Sequence, residues 1–207
     1  MTGIYGLGRI GKTTLAKFIY NELPRTFKSC RFLLDVLEIA HRHGLQYLHN
    51  QLISDILQSK YQVSKVDDGI NIIKSKFKGK KVLILLDDVD HKNQLDVLTR
   101  EHGCFIMPGS MIIVTTRYEV ILDKTVFGVD YKYELKELDE VQSLHLFSRH
   151  AFHNDYPPSA FEDISHDVIS TTAGLPLALE VIGSYLYMKS NMILWKDVLK
   201  ILTKEPH

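Results

Sequence analysis

Gly6-Leu7-Gly8-Arg9-Ile10-Gly11-Lys12-Thr13 is the stretch on which the reading of this 207-residue chain turns. It fits GxxxxGK[ST] and lies between an apolar run, Thr2–Tyr5, and a helical pattern from Thr13 to about Glu22. That strand-before, helix-after setting is what the pattern requires. Backbone N–H groups of such a loop point inward to hold phosphate oxygens, and the helix N-terminus beyond adds partial positive charge. In that arrangement Lys12 reaches the β- and γ-phosphates and the Thr13 hydroxyl ligates Mg²⁺. The glycines Gly6, Gly8 and Gly11 also satisfy the dinucleotide fingerprint, with Asp35 near the place of a ribose contact. Lys12-Thr13 directly after the last glycine decides against it, because a dinucleotide fold has no task for that pair.

Lys81-Val82-Leu83-Ile84-Leu85-Leu86-Asp87-Asp88 reads as a buried strand that ends in two carboxylates. An acid at this strand end holds the metal in phosphate-loop enzymes, and a second one can orient or deprotonate a water. Asp87 is assigned the first role and Asp88 the second. A further strand, Ile112–Val114, runs into Thr115-Thr116-Arg117, and a cation at that tip is placed to sense a γ-phosphate. A solvated surface arginine remains an equal reading of Arg117.

Up to about Glu134, short apolar runs alternate with helical patterns, the mark of a parallel α/β sheet. The expected strands are Thr2–Tyr5, Cys30–Leu34, Lys81–Leu86, Met111–Thr115 and Tyr131–Leu135. Helices are expected over Leu45–Leu57, with Leu45, Leu48, Leu52, Ile53, Ile56 and Leu57 on one stripe, and over Asp67–Phe77, with Ile70, Ile73 and Phe77. Pro24 and Pro108 fall in breaks. After Leu138 the chain reads as helices only. Asp139 is expected to cap the first, and Ser159-Ala160-Phe161-Glu162 to form a capping box for the second. Gly174-Leu175-Pro176 opens a third that runs through Tyr187, and Trp195–Leu202 makes a fourth. Phe147, Phe152, Phe161, Tyr185 and Trp195 are the expected core aromatics of this bundle. The fold class is thus α/β, a phosphate-loop parallel sheet with helices on both faces over residues 1–137, followed by an all-α bundle over 138–207.

Composition narrows the function classes. Hydrophobic residues make up 45% and charged residues 24%, which excludes a disordered chain. The longest clean apolar run, Val82–Leu86, falls far short of the ~20 residues of a membrane span. Twenty-five basic residues balance twenty-five acidic ones, so global charge gives no pull towards nucleic acid or anionic lipid. The run Lys74, Lys76, Lys78, Lys80 and Lys81 reads as a helix C-terminus rather than a nucleic-acid contact. Cys30 and Cys104 are the only cysteines, which suits reduced thiols in the cytoplasm or nucleus. No secretory leader is legible at Met1–Gly6. His41/His43 and His150/His153 are closely spaced, but no cysteine or carboxylate cluster completes a tetrahedral set.

Taken in order, these blocks resemble the NB-ARC nucleotide-binding module of plant disease-resistance proteins with leucine-rich repeats. Gly6–Thr14 resembles its phosphate loop. Phe32–Glu38 through Gly44-Leu45 resembles the next block, in the form found behind a Toll/interleukin-receptor-like domain. Leu85–Asp90 resembles the metal-binding block, and Asp90 again favours the Toll-like subclass. Pro108-Gly109-Ser110 through Arg117 resembles the sensor block, and Gly174–Leu179 the GLPL motif. The resemblance covers almost the whole chain.

What it implies is a switch. In the family, bound ADP holds the module closed, exchange for ATP opens it and promotes self-association, and slow hydrolysis resets it. The implied nucleotide-binding residues are Gly6, Gly8, Arg9, Ile10, Gly11, Lys12, Thr13 and Thr14, with Arg117 at the γ-phosphate and Pro176 at adenine. Thr13 and Asp87 are implied for Mg²⁺, and Asp88 for hydrolysis. The implied partners are the nucleotide and the other domains of a receptor: Toll-like, winged-helix and leucine-rich-repeat. The alternatives are an autonomous ATPase or kinase with real turnover, or a shortened relative that no longer binds nucleotide. Departures from the family pattern are Arg9 for glycine, Met111 for arginine and Tyr118 for aspartate. The chain also starts at the first strand and stops before the winged-helix subdomain, so a fragment or a truncated relative is expected.

Overall fold

The alternation of apolar runs with helical patterns resolves into one parallel sheet. Its strands are β1 (Thr2–Tyr5), β2 (Ser29–Leu33), β3 (Val82–Val89), β4 (Met111–Thr116) and β5 (Tyr131–Glu134). Their order is β2-β3-β4-β1-β5, with every neighbouring pair parallel. All five expected strands are present. The largest difference lies at β3, which runs on past Leu86 to Val89.

The computed structural model describes residues 1–23, 27, 29–57, 68, 71, 75, 79, 81–99, 108–123 and 128–204. Of the expected helix Asp67–Phe77 only residues 68, 71 and 75 are described, each as helix; Ile70, Ile73 and Phe77 fall outside the described residues, as do Pro24, Cys104 and Lys74, Lys76, Lys78 and Lys80. Two compact units result: Met1–Leu7 with Lys12–Leu135, and Gly8–Gly11 with Lys136–His207.

In the first unit, side chains alternate across β3 with period two. Val82, Ile84 and Leu86 enter one buried cluster with Leu33, Ile112 and Val114. Leu83 and Leu85 enter another with Ile4 and Ile113. Each cluster is roofed by helices. Val36 of α2 (Val36–His43), Leu48 of α3 (Leu45–Leu57) and Leu95 of α4 (Lys92–Thr99) cover the first. Ala16 of α1 (Lys12–Glu22), with Leu15 and Ile19, covers the second. A strand buried on both faces needs no polar alternation, which is why Val82–Leu86 is apolar throughout. Truncating one such leucine to alanine costs about 2–5 kcal/mol.

The second unit holds α5 (Glu140–Phe152), α6 (Glu162–Ser170), α7 (Pro176–Leu186) and α8 (Met192–Leu202). Asp139 caps α5 as expected. Its side chain accepts from the Gln142 N–H at 2.8 Å, and the Gln142 side chain accepts from the Asp139 N–H at 3.2 Å. Phe147 and Trp195 are fully buried, and the Phe152 ring stacks on Trp195 at 5.4 Å. The indole N–H of Trp195 donates to the Lys189 carbonyl at 2.7 Å.

Three expectations need correction. Ser159 forms no capping box: Pro158 leads Ser159–Phe161 into a single 3₁₀ turn, and α6 then starts behind Phe161 with no side-chain cap. The last helix begins at Met192 rather than Trp195, because Asn191 accepts from the Ile193 N–H at 2.9 Å and caps it. Tyr185 is not core. It is 53% exposed, and the Lys189 ammonium sits 4.5 Å from its ring centroid, a contact worth about 0.5–1 kcal/mol at an exposed site.

Candidate phosphate and metal site

The loop after β1 is built on left-handed backbone. Gly6 has φ +147° and Gly11 φ +94°, and Arg9 between them has φ +65°. Glycine reaches such angles freely, whereas a side chain there carries strain. α1 then opens at Lys12 itself, one residue earlier than the sequence pattern indicates. The Lys12 ammonium donates to the carbonyls of Gly6 at 2.8 Å and Leu7 at 2.6 Å, and the residue is only 7% exposed. Burial pushes its pKa below the ordinary 10.5. The carboxylates of Asp88 and Asp87 pull it upward, and Arg117 adds to the lowering. One buried cation is thus held among loop carbonyls within the field of both acids.

Those acids sit at the end of β3. Asp87 is 2% exposed, and two hydroxyls converge on its Oδ1: Thr13 at 2.8 Å and Thr115 at 2.7 Å. The Asp88 N–H donates to the Thr115 hydroxyl oxygen at 2.9 Å, and the Asp88 carboxylate meets the Arg117 Nε at 3.5 Å. Thr13, Asp87, Asp88 and Arg117 therefore come together at the strand ends of the first unit, next to Lys12. Thr115 is the participant that sequence reasoning passed over. Its signal was a hydroxyl at the end of the otherwise apolar stretch Met111–Val114.

The donor chemistry suits Mg²⁺. A threonine hydroxyl and a buried carboxylate are hard oxygen donors. Among the described residues no group of three or more His, Cys, Asp or Glu could hold a metal ion, so a cation here must complete its shell from water and phosphate oxygens. Mg²⁺, which gives up its waters reluctantly, is the ion that binds in that way.

Residues 1–156 match the family model of the NB-ARC domain. The chain belongs to the NB-ARC family. Across its full length it is 42% identical to the disease resistance protein RUN1 of Vitis rotundifolia. Over 96% of its length it is 36% identical to the TMV resistance protein N of Nicotiana glutinosa. It spans only 15% and 17% of those two proteins. Among solved structures, a STAND (Signal Transduction ATPase with Numerous Domains) protein with a tetratricopeptide repeat sensor from Pyrococcus horikoshii resembles it with a TM-score of 0.53. That match has 20% identity and covers 99% of this chain and 30% of that one. A RuvB mutant of Thermotoga maritima resembles it with a TM-score of 0.56, at 14% identity, over 99% of this chain and 63% of that one. At such identities these two structures speak for the fold alone, a parallel sheet of the P-loop NTPase kind.

The remaining expected site residues have plain placements. Thr14 is exposed on the first turn of α1, and Ile10 is buried. Pro176 occupies the first turn of α7 in the second unit, where its missing N–H costs nothing. Just before it, Gly174 has φ +69°, and a Cβ there would lie 2.3 Å from the Leu138 carbonyl oxygen. Gly174 therefore faces two demands at once, a left-handed backbone and a close backbone crossing. His41 and His43 are exposed on α2 and its end. His150 lies 3.4 Å from the Ser184 hydroxyl, and His153 stacks on Tyr187 at 4.2 Å. No described helix is long and apolar enough to cross a membrane.

Proposed function

We propose that this NB-ARC domain is the nucleotide switch of an intracellular plant immune receptor, binding ADP or ATP with Mg²⁺ and hydrolysing slowly. The observation that carries the reading is the meeting of the Thr13 and Asp87 side chains at 2.8 Å beside the buried Lys12. A loop that holds phosphate needs a lysine, a hydroxyl and a metal-side acid within one small volume, and these three have no common structural task otherwise.

In this reading residues 1–137 act as the nucleotide-binding domain and 138–207 as the first helical subdomain. Loop N–H groups from Gly6, Gly8, Arg9, Ile10 and Gly11 hold the phosphates, with Lys12, Thr13 and Thr14. Thr13 and Asp87 would hold the ion, which would supply positive charge against the phosphates. Asp88 orients the attacking water. Arg117 rests on Asp88 at 3.5 Å and swings to a γ-phosphate when one is present, so the ion pair reports which nucleotide is bound. Pro176 packs on adenine. Self-association in the ATP state and contacts with Toll-like, winged-helix and leucine-rich-repeat domains complete the proposal.

The test is direct. Purified protein is denatured and the released nucleotide is identified by chromatography, and the same preparation is titrated with ADP and assayed for steady-state hydrolysis. Co-purified ADP and turnover orders of magnitude below the ~10 s⁻¹ typical of enzymes are the expected results. Turnover in that ordinary range would make the protein an autonomous ATPase instead. No heat of binding with millimolar ADP would end the nucleotide reading.

A further inference from the structure

We infer that Thr115 is the positioning residue that lets two consecutive acids serve one site, an inference that rests on the nucleotide–Mg²⁺ reading above. In a regular strand, neighbouring side chains point to opposite faces. Asp87 and Asp88 should therefore diverge. Both nevertheless act on the Lys12 ammonium, and the β3–β4 register breaks between Leu86, paired with Val114, and Val89, paired with Thr116. Two residues of β3 thus stand opposite the single residue Thr115, which is the count of a β-bulge. Asp88 takes up the extra length in left-handed backbone, φ +54°.

A bulge leaves ladder groups without partners, and a buried N–H without a partner is costly. Here the side chain opposite replaces the ladder. The Thr115 hydroxyl has one proton and two lone pairs. It gives the proton to Asp87 Oδ1 at 2.7 Å and accepts the Asp88 N–H at 2.9 Å. With Thr13 donating to the same Oδ1 at 2.8 Å, the Asp87 carboxylate is anchored through that oxygen, which fixes how it is presented to the ion or its water. The residue is 1% exposed, so water cannot substitute for the hydroxyl. Thr115 touches neither phosphate nor metal in this scheme; it acts through Asp87 and Asp88.

Calorimetric titration with a non-hydrolysable ATP analogue, once in Mg²⁺ and once in EDTA, tests the role through the ratio of the two dissociation constants. Thr115→Val keeps the shape and removes both hydrogen bonds. It should cut the Mg²⁺-dependent gain in affinity by about tenfold or more, the worth of one hydrogen bond to a charged group. Binding in EDTA should stay near the wild-type value, and Thr115→Ser should restore the gain. If the valine chain does not fold, Thr115→Ala set against Thr115→Ser makes the same comparison. An unchanged Mg²⁺ gain overturns the inference, and so does an equal loss with and without metal that serine fails to rescue, since that marks a purely structural hydroxyl. A wild-type chain that binds the analogue with no Mg²⁺ gain at all would remove the metal roles of Thr13 and Asp87, and this inference with them.

Discussion

The hydroxyl of Thr13, on the first turn of α1, donates to Oδ1 of Asp87, at the end of β3, over 2.8 Å. The bond ties the positive end of a helix to a buried carboxylate, an arrangement that the helix dipole favours. It also gives the two acids different surroundings: Asp87 is enclosed by hydroxyls, whereas Asp88 faces the half-exposed Arg117.

That difference predicts different phenotypes. Asp87→Asn keeps an oxygen able to accept from both hydroxyls, so the fold should survive while the Mg²⁺ dependence of ATP binding disappears. Asp88→Asn should leave ATP binding nearly intact and suppress residual hydrolysis, since asparagine tolerates left-handed backbone. Paired titrations and a single-turnover assay check both. The same binding loss in both variants would show that the roles are not divided in this way.

Lys12→Ala should weaken ADP binding by about ten- to a hundredfold or more, from hydrogen bonds to phosphate worth roughly 1.5–3 kcal/mol each. Calorimetry on the two proteins reads this directly. Equal affinities would mean that the ammonium remains on the Gly6 and Leu7 carbonyls and never turns to phosphate.

Arg9 holds φ +65° without being glycine, at a cost of about 1–2 kcal/mol. Its exposed charge can return only about 0–1 kcal/mol by attracting phosphate. Arg9→Gly should therefore tighten ADP binding and raise the melting temperature measured with ADP present. Weaker binding in the glycine variant would make Arg9 a phosphate ligand in its own right.

Gly174→Ala should destabilise the chain by about 2–3 kcal/mol, combining left-handed strain with a Cβ driven onto a backbone oxygen. Chemical denaturation followed through Trp195 fluorescence would register it. A midpoint unchanged from wild type would show that the Leu138 backbone yields freely.

Ser148 and Ser165 are fully buried, and their hydroxyl oxygens have no hydrogen-bond partner among the described residues. Ser148→Ala and Ser165→Ala each remove an unpaid desolvation cost of about 1–3 kcal/mol, so each should raise the melting temperature. A fall in either variant would reveal a hydrogen bond that forms in solution.

The sheet was legible because strands buried on both faces lose their polar alternation, and Val82–Leu86 shows that loss without ambiguity. The α5 cap was legible because Asp139 and Gln142 have the right spacing and both partners are local. Local spacing did not suffice at Ser159, where Pro158 redirects the backbone first. Periodicity put Tyr185 on a helix but could not say which face is covered. Lys12, Thr13, Asp87 and Asp88 could be named from motifs. Thr115 could not, because a threonine on a strand is an ordinary β-former until the bulge opposite it is known.

The place of β1 in the sheet has a consequence for how the protein is made. Of the five strands it leaves the ribosome first, yet it pairs with β4 at Ile113 and β5 at Tyr131. Its slot does not exist until more than a hundred further residues have emerged. Such distant pairings form slowly, and an apolar strand that waits for its neighbours is exposed to aggregation meanwhile. The phosphate loop hangs from this late-pairing strand. Under the proposed function, nucleotide capture therefore comes near the end of folding, and a chain stalled before β4 would carry the whole GxxxxGK[ST] sequence with no site to show for it.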